Sequence, residues 1–352
     1  MAIDSPLLGT VMAVQANFYQ VRLDLKPDNF ESVYLLCTRR TRLKKIGQKV
    51  MVGDRVVVEE ADPIAARGAI SEVKKRETQL SRPPVANVDL ILLVFAVEEP
   101  ALDPWQLSRF MVKAESTSIE LCLCLNKTDL ISDRQQQEWQ ERLIAWGYDP
   151  IFISVTTNQG IDKLKKKLKN KIAIVSGPSG VGKSSLINKL IPDVDLRVGE
   201  VSGKLLKGRH TTRHVELFEL PSGGFLADSP GFNQPNLQCN PRDLILYFPE
   251  AKKKLQQETC QFADCLHREE PNCIVGQDWE RYEHYLKFLS EAIARQEQLK
   301  QQPDRESVLK VKIKDSGRRE YEPKLETKKY RRTSRRTKLQ DLQQLYDEVE
   351  DF

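Results

Sequence analysis

The sequence has no long hydrophobic run. Its longest apolar stretch, residues 90–97, has eight residues, which suits a buried strand. A transmembrane helix needs about 18 or more. Residues 1–6 also lack the basic and then apolar layout of a secretory signal. We therefore expect a globular cytoplasmic protein that does not enter a membrane.

Cysteine is too scarce for a disulfide scaffold, since only seven occur in 352 residues. Three of them nevertheless crowd with a histidine: Cys260, Cys265, His267 and Cys273. Three thiolates and one imidazole form a complete tetrahedral set for a structural Zn²⁺, with no open position for catalysis. We predict zinc here, with unrelated thiols as the alternative because the spacing is not the commonest finger pattern. The remaining cysteines are interpreted as packed or incidental: Cys37, Cys122, Cys124 and Cys239.

A strong net charge is also absent, because the formal charge is only +5. The distribution of charge is less even. Residues 301–340 carry fourteen Lys or Arg against six Asp or Glu, and residues 341–352 carry five acids and no base. Such a tail indicates either a solvated, largely disordered extension or a segment that contacts RNA.

Residues 8–75 contain several short β-prone runs, which predict a small barrel. Apolar residues alternate with polar ones at Tyr19, Val21, Leu23 and Leu25. A basic loop, residues 39–45, interrupts the predicted strands. An oligonucleotide-binding (OB) barrel displays its loops in this manner to bind nucleic acid. The alternative is an accessory barrel with a solvated loop.

From residue 87 onward, buried strands alternate with helices, which is typical of a parallel α/β sheet. We predict strands at 90–97, 121–125, 151–154 and 172–175, and helices at 104–116, 135–146 and 161–168. After about residue 240 we predict no further strands, and a helix at 279–299.

A complete phosphate-binding loop (P-loop) follows the strand at 172–175 and opens a helix at 184–190. The G-x-x-x-x-G-K-[ST] pattern is matched by Gly177, Pro178, Ser179, Gly180, Val181, Gly182, Lys183 and Ser184. Its glycines let backbone amides surround the phosphates, Lys183 reaches the outer phosphates, and the Ser184 hydroxyl can bind Mg²⁺. We expect Ser185, the next residue, to contact the nucleotide as well.

A guanine-reading motif follows the strand predicted at 121–125: Asn126, Lys127, Thr128 and Asp129. The Asp129 carboxylate can accept two hydrogen bonds from the N1–H and the exocyclic amine of guanine. Adenine lacks that donor pair, so this residue can set the choice of base. Ser154 and Val155, near the end of the next strand, are placed to support the same base.

Two further segments are candidates for sensing the γ-phosphate. Asp228 and Gly231 form a D-x-x-G pattern after a short apolar run. Thr211 and Thr212 lie in a Gly- and base-rich stretch, residues 193–214, between the P-loop helix and that pattern. We predict that this stretch is a switch and that Thr212 helps to hold Mg²⁺, with an ordinary surface loop as the alternative.

The order of these motifs is reversed relative to a Ras-like GTPase. The guanine motif begins 51 residues before the P-loop (177 minus 126). We therefore predict a circularly permuted GTPase domain, whose γ-phosphate sensor is joined directly to the Cys/His region. The predicted domains are a barrel at 1–80, the GTPase at 81–240, a mainly helical zinc domain at 241–300 and a tail at 301–352.

This combination of barrel, permuted motifs and Cys-x4-Cys-x-His-x5-Cys closely resembles the RsgA (YjeQ) family, the small-ribosomal-subunit biogenesis GTPases of bacteria and chloroplasts. The resemblance covers roughly residues 8–295. It implies that the three domains clamp the decoding region of the 30S subunit, on 16S rRNA. It also implies that the subunit stimulates GTP hydrolysis, which releases the factor late in maturation.

The resemblance also implies roles for the switch residues. The family's Gly-Arg-His-Thr-Thr run matches residues 208–212, and its D-T-P-G-F matches residues 228–232, with serine at 229 in place of threonine. Phe232 stands where many GTPases keep a glutamine that orients water, so we predict that His210 orients the water instead. Lys183 and Thr212 are the other two predicted catalytic residues. RNA contact or a solvated switch surface are the alternatives for His210. The missing glutamine predicts slow intrinsic turnover that a partner accelerates.

Three functions remain open from the sequence. The first is a ribosome-stimulated GTPase that acts in 30S assembly. The second is a nucleotide-gated RNA-binding module that hydrolyses GTP negligibly. The third is a GTPase that serves another RNA or a tRNA-modifying partner. In each case we expect GTP and GDP as ligands and a monomeric chain.

Overall fold

The N-terminal region forms a closed five-stranded barrel in the computed structural model, which describes residues 6–81, 83–192, 215–228, 237–301, 309–313 and 319–323. Its strands are β1 Leu7–Gln15, β2 Phe18–Leu23, β3 Tyr34–Arg39, β4 Arg55–Asp62 and β5 Arg67–Val73. They close in the order β1-β2-β3-β5-β4. The predicted alternation places Tyr19, Val21 and Leu23 in the barrel core, whereas Leu25 lies beyond β2 and is exposed. The predicted small OB-like barrel is confirmed.

The basic stretch predicted as a loop at 39–45 contains a short helix instead, α1 (Thr41–Lys45). Leu43 is buried in the barrel core and fixes this turn against the strands. Arg42, Lys44 and Lys45 remain exposed. The loop prediction was wrong because the single apolar residue was given too little weight.

A six-stranded sheet follows, after a small two-stranded sheet formed by β6 (Gln79–Ser81) and β7 (Pro84–Ala86). Its strands are β8 Leu90–Ala96, β9 Glu120–Asn126, β10 Ile151–Phe152, β11 Ile172–Ser176, β12 Leu217–Glu219 and β13 Phe225–Asp228. They lie in the order β10-β9-β8-β11-β13-β12, and only β12 runs antiparallel to its neighbour. β10 is shorter than the strand predicted at 151–154, because the Ser154 N–H donates to the Gln159 carbonyl rather than continuing the ladder.

Helices cover both faces of this sheet, as predicted for an α/β domain. They are α2 Pro104–Glu115, α3 Asp133–Ala145, α4 Ile161–Leu168 and α5 Lys183–Leu190. The Asp103 side chain caps α2, and Ser132 forms a capping box with Gln135 at the start of α3. Because successive side chains of β8 alternate, Leu93 packs with α2 and α3, and Leu92 packs with α4 and α5.

The Cys/His region is mainly helical. It contains α6 (Pro249–Gln257) and α7 (Tyr282–Gln301), and α7 begins three residues later than the helix predicted at 279–299. Phe248, Tyr285 and Phe288 form its core together with Val112 of α2. The region is thus packed directly on the GTPase sheet's helical layer.

The chain divides into two compact units, Met1–Ile293 and Ala294–Phe352. In the second, β14 (Leu309–Ile313) pairs antiparallel with β15 (Arg319–Pro323). The prediction that strands stop after about residue 240 was therefore wrong. The prediction relied on the net charge of the tail and overlooked the short alternation of apolar and basic residues in the sequence of β14. Among the described residues, no helix combines the length and apolar character that a membrane crossing requires.

Candidate nucleotide site and metal centre

The P-loop joins β11 to α5 at the carboxyl edge of the sheet, where ligands bind in open α/β folds. Lys183 is the first residue of α5, one position before the predicted start. Its side chain is only 6% exposed, and its ammonium donates to the carbonyls of Gly177, at 3.0 Å, and of Pro178. The Lys183 cation is therefore held against the carbonyls of the P-loop itself.

Two glycines of this loop are required by close contacts. Gly177 has a φ of +143°, and a Cβ there would lie 1.9 Å from the carbonyl oxygen of Val94 in β8. Gly182 has a φ of +91°, and a Cβ there would lie 2.5 Å from the side-chain nitrogen of Asn126. Any larger residue at these two positions would push the loop away from β8 and from the guanine motif.

Asn126 connects the guanine motif to the P-loop. Its side-chain nitrogen donates to the Val181 carbonyl at 2.9 Å, and its side-chain oxygen accepts from the Val155 N–H at 3.4 Å. The side chain is buried, with 2% of its surface exposed. The Asn126 side chain thus joins three segments that are predicted to bind the same nucleotide. They are the guanine motif, the P-loop and the loop that follows β10.

The rest of the guanine motif is positioned by hydrogen bonds to backbone carbonyls of neighbouring segments. Lys127 adopts the left-handed conformation, with φ +64°, and its ammonium donates to the Glu99 carbonyl. The buried Thr128 hydroxyl donates to the Ile153 carbonyl at 3.0 Å. Asp129 lies in the short 3₁₀ turn that follows and is exposed. The turn therefore presents this carboxylate at the edge of the site.

The serine predicted to support the base is engaged by its own loop. Ser154 is fully buried, and its hydroxyl accepts from the Thr157 N–H at 3.1 Å. Val155 is half-buried, and its N–H is the group bound by Asn126. Ser184 and Ser185 are half-buried in the first turn of α5.

Several predicted switch residues lie outside the described residues: His210, Thr211, Thr212 and Gly231. Asp228 is described through its backbone, which ends β13 and pairs with Val175 of β11. The D-x-x-G aspartate is therefore next to the strand that leads into the P-loop.

The predicted zinc ligands come together in one cluster, with their ligand atoms all within 4.8 Å of one another. Nδ1 of His267 lies 3.6, 3.6 and 3.4 Å from the three cysteine sulfurs, taken in chain order. Tetrahedral zinc with ordinary bond lengths separates nitrogen from sulfur by about 3.6 Å. All three nitrogen–sulfur distances therefore fit a tetrahedral metal ion bound by these four residues.

Groups around the cluster hold His267 in place. The Glu270 carboxylate accepts from the N–H groups of Leu266, at 3.0 Å, and of Arg268, at 2.6 Å, on either side of the histidine. The Tyr285 hydroxyl donates to the Leu266 carbonyl at 2.5 Å. Burial lowers the pKa of His267, which keeps the imidazole neutral and able to ligate at neutral pH.

The Cys/His region docks on α2 and on the end of α3. Nδ1 of His284 in α7 lies 2.8 Å from the Ser108 hydroxyl of α2, and the Trp146 indole donates to Glu280 at 2.7 Å. Arg109 of α2 also pairs with Glu291 of α7. These contacts fix the candidate metal centre to the GTPase sheet.

Arg281 is a fully buried cation at this junction. Its Nε donates to Glu250 at 2.6 Å. Its guanidinium carbon lies 4.8 Å from the ring centroid of Trp146 and 4.9 Å from that of Phe248. Ion pairing and cation–π contacts together offset the cost of burying this charge.

Sequence reasoning missed the backbone carbonyl of Glu99 and the Glu270 carboxylate. Neither belongs to a motif with a fixed spacing. For Glu270 a signal existed, because an acid between His267 and Cys273 is placed to accept from the ligand loop. For Glu99 there was none, since the contact uses only its carbonyl.

Comparisons with known proteins agree with this geometry. The RsgA GTPase family model matches residues 73–238. A small ribosomal subunit biogenesis GTPase RsgA from Trichormus variabilis is 64% identical and covers 98% of each chain. The crystal structure of YjeQ from Thermotoga maritima, 31% identical, aligns with a TM-score of 0.70 over 83% of this chain and 100% of that one. That of YloQ, a circularly permuted GTPase, is 30% identical and aligns at 0.68 over 83% and 96%.

Three observations lead to one assignment. They are the 64% identity to the Trichormus variabilis relative, the permuted order of the strands, and the hydrogen bond that joins the guanine motif to the P-loop. Circular permutation is confirmed, because the guanine motif on β9 precedes the P-loop on β11 while both end at the same edge of the sheet. The chain belongs to the RsgA family of GTPases and is a GTP hydrolase.

Proposed function

We propose that this chain hydrolyses GTP on the small ribosomal subunit and acts late in the maturation of that subunit. The observation that carries the proposal is the 2.9 Å hydrogen bond from Asn126 to Val181, which joins the base-reading and phosphate-binding motifs into one site. The subunit is supported as the partner by the 64% identical relative, which is named for small ribosomal subunit biogenesis.

The nucleotide contacts follow from the chemistry of the site. Lys183 binds the outer phosphates, beside the amides of residues 177–182. Asp129 accepts the two guanine donors, and Ser154 and Val155 support the base. Mg²⁺, held by Ser184 and Thr212, supplies positive charge next to the phosphates.

The catalytic step depends on the switch residues. We assign the orientation of the attacking water to His210, because Phe232 cannot replace a glutamine. Asp228 and Gly231 respond to the γ-phosphate. Turnover is therefore slow in the free protein and is stimulated by the subunit, and hydrolysis then releases the factor.

Binding to 16S rRNA uses the barrel. Exposed Arg42, Lys44 and Lys45 on α1 give that barrel a basic surface suited to phosphates. The Cys/His cluster holds one structural Zn²⁺, which maintains the C-terminal region. We propose that the protein acts as a cytoplasmic monomer.

The test is GTP turnover with and without purified small subunits, with Lys183→Ala as the inactive baseline. We expect stimulation of at least about tenfold in the wild type and none in the variant. Subunits that fail to stimulate the wild type refute the proposal, and stimulation by another RNA in their absence favours the third function considered above.

Binding gives a second readout. The protein should co-sediment with small subunits in a non-hydrolysable GTP analogue and leave them in GDP. Equal binding in both nucleotides contradicts release on hydrolysis.

A further inference from the structure

The barrel is joined to the GTPase sheet by a three-residue contact. Glu219, the last residue of β12, accepts from Arg22 at 2.7 and 2.6 Å and from the Tyr34 hydroxyl at 2.9 Å. Arg22 and Tyr34 face each other across β2 and β3. We call this contact the Arg22–Tyr34–Glu219 clasp.

The clasp is a directed contact rather than a loose surface pair. The arginine donates through two nitrogens to both carboxylate oxygens, which fixes the orientation of the two groups. The hydrogen bond from Arg22 lowers the pKa of Glu219, so the pair is charged at neutral pH. The barrel backbone adds to the contact, because Ala13 of β1 pairs with Glu216 just before β12.

On the GTPase side, the clasp touches the strand that carries the γ-phosphate sensor. Glu219 pairs with Phe225, the first residue of β13, and the Arg22 guanidinium carbon lies 5.8 Å from the centre of the Phe225 ring. β13 ends at Asp228, which pairs with Val175 of β11. Three residues of strand, about 10 Å, separate the clasp from the sensor.

On the barrel side, the clasp borders a groove of about 380 Å³. Tyr34 lines this groove together with Phe18, Leu36 and Arg67. The side chains of Phe18 and Leu36 are 49% and 43% exposed. Exposed aromatic and apolar surface beside an arginine suits a stacked, unpaired nucleobase with its phosphate.

We propose that Glu219 is a positioning residue through which RNA in this groove controls GTP hydrolysis. An unpaired RNA segment against Tyr34 changes the clasp, and Glu219 and Arg22 pass the change to β12 and β13 and so to Asp228. This inference rests on the proposed stimulation of GTP hydrolysis by the small subunit. It adds that the stimulation passes from the barrel groove through the clasp to Asp228.

The test compares the ratio of subunit-stimulated to unstimulated GTP turnover among full-length variants. Arg22→Ala should lower this ratio about tenfold, and Tyr34→Phe, which keeps the ring and removes only one hydrogen bond, should lower it less. The exchanged pair, Arg22→Glu with Glu219→Arg, should recover most of the ratio. A merely structural role for Arg22 would lower the stimulated and the unstimulated turnover together and would leave their ratio unchanged.

A matched ion pair at the other interface serves as the control. Arg109 and Glu291 join α2 to α7, and their side chains are 22% and 40% exposed, against 24% and 36% for Arg22 and Glu219. Arg109→Ala should leave the ratio unchanged.

The inference is overturned if Arg22→Ala keeps the wild-type ratio, if Arg109→Ala loses it equally, or if the exchanged pair fails to recover it. A wild type that subunits do not stimulate refutes the proposed function and this inference together. A stimulated wild type with an equally stimulated Arg22→Ala refutes the inference alone.

Discussion

Asn126 is the residue at which three segments of the nucleotide site meet. Its amide binds the P-loop on one side and the loop after β10 on the other. The sequence motif alone suggested a direct contact with the nucleotide. The structure places the amide against protein groups, so we infer that Asn126 holds the geometry in which Asp129 reads the base.

Loss of this amide should destabilise the fold. Asn126→Ala leaves the Val181 carbonyl and the Val155 N–H without their partner, and we expect the free energy of unfolding to fall by about 2 kcal/mol. Urea denaturation measures it. Asp129→Asn, an exposed position in the same motif, should change it by less than about 0.5 kcal/mol. Equal losses in the two variants would contradict this distinction.

Asp129 should instead determine the choice of base. In Asp129→Asn one carboxylate acceptor is replaced by an amide donor, so we expect GTP affinity to fall about 100-fold. Affinity for xanthosine triphosphate should rise, because the C2 carbonyl of xanthine can accept from that amide. Competition against a fluorescent nucleotide measures both. An unchanged preference for GTP over ATP would refute the assignment.

At the scale of elements, the loop between α6 and α7 carries the four candidate metal ligands. Cys273→Ser should abolish stoichiometric zinc, because three remaining ligands cannot complete a closed tetrahedral site. Metal analysis of the purified protein measures the content. Cys239→Ser, a half-buried cysteine outside the cluster, should retain the wild-type zinc. Full zinc in Cys273→Ser would exclude this ligand set.

The junction of α7 with the GTPase sheet depends on Arg281. Arg281→Met leaves the half-buried Glu250 carboxylate without its partner, and we expect a loss of about 3 kcal/mol in unfolding free energy. The double variant with Glu250→Met removes both charges and should be more stable than Arg281→Met. If the double variant is less stable than the single one, the cost does not come from the unpaired carboxylate.

Some elements could be predicted because a local pattern determines them. The continuous apolar run at 90–97 gave β8, and α4 matches the predicted 161–168 at both ends, since its apolar residues recur at helical spacing. The P-loop was placed by its fixed spacing, and the metal ligands were placed by the crowding of three cysteines and a histidine within residues 260–273. These features depend on residues that are close in sequence.

Other features depend on contacts between distant segments. Arg22 and Glu219 are 197 positions apart, and neither lies in a recognisable motif. The contact exists because the barrel docks on β12, an edge strand that no pattern in the sequence marked. The same holds for Arg281, whose burial requires aromatic rings from two regions.

At the scale of the whole molecule, binding to the subunit should depend on salt through α1. The triple variant Arg42→Gln, Lys44→Gln, Lys45→Gln should reduce the slope of log affinity against log salt by about 2 to 3, because three phosphate contacts are lost. Co-sedimentation across a salt series measures the slope.

The matched control removes three exposed lysines from the α4 region: Lys163→Gln, Lys166→Gln and Lys169→Gln. It changes the net charge equally and should leave the slope near that of the wild type. Equal reductions in both triple variants would mean that net charge, rather than the barrel surface, determines binding.

The clasp should also make stability depend on pH in the acid range. Arg22 lowers the pKa of Glu219 below the ordinary 4.5. The contact therefore makes its full contribution to the unfolding free energy above pH 4.5, and this contribution is lost as the pH falls through the lowered pKa. The difference in unfolding free energy between wild type and Glu219→Gln should be constant near neutrality and disappear in acid. A difference that grows as the pH falls would contradict the sign of the shift.

The strand order has a consequence for synthesis. β8 lies between β9 and β11, but β11 begins 76 residues after β8 ends (172 minus 96). At about 5 to 20 residues per second, the ribosome needs roughly 4 to 15 s to make that distance. During this interval β8 can pair with β9 on one side only. The nascent chain therefore carries an open edge on its most apolar strand, and this edge is where a chaperone or another nascent chain would pair with it.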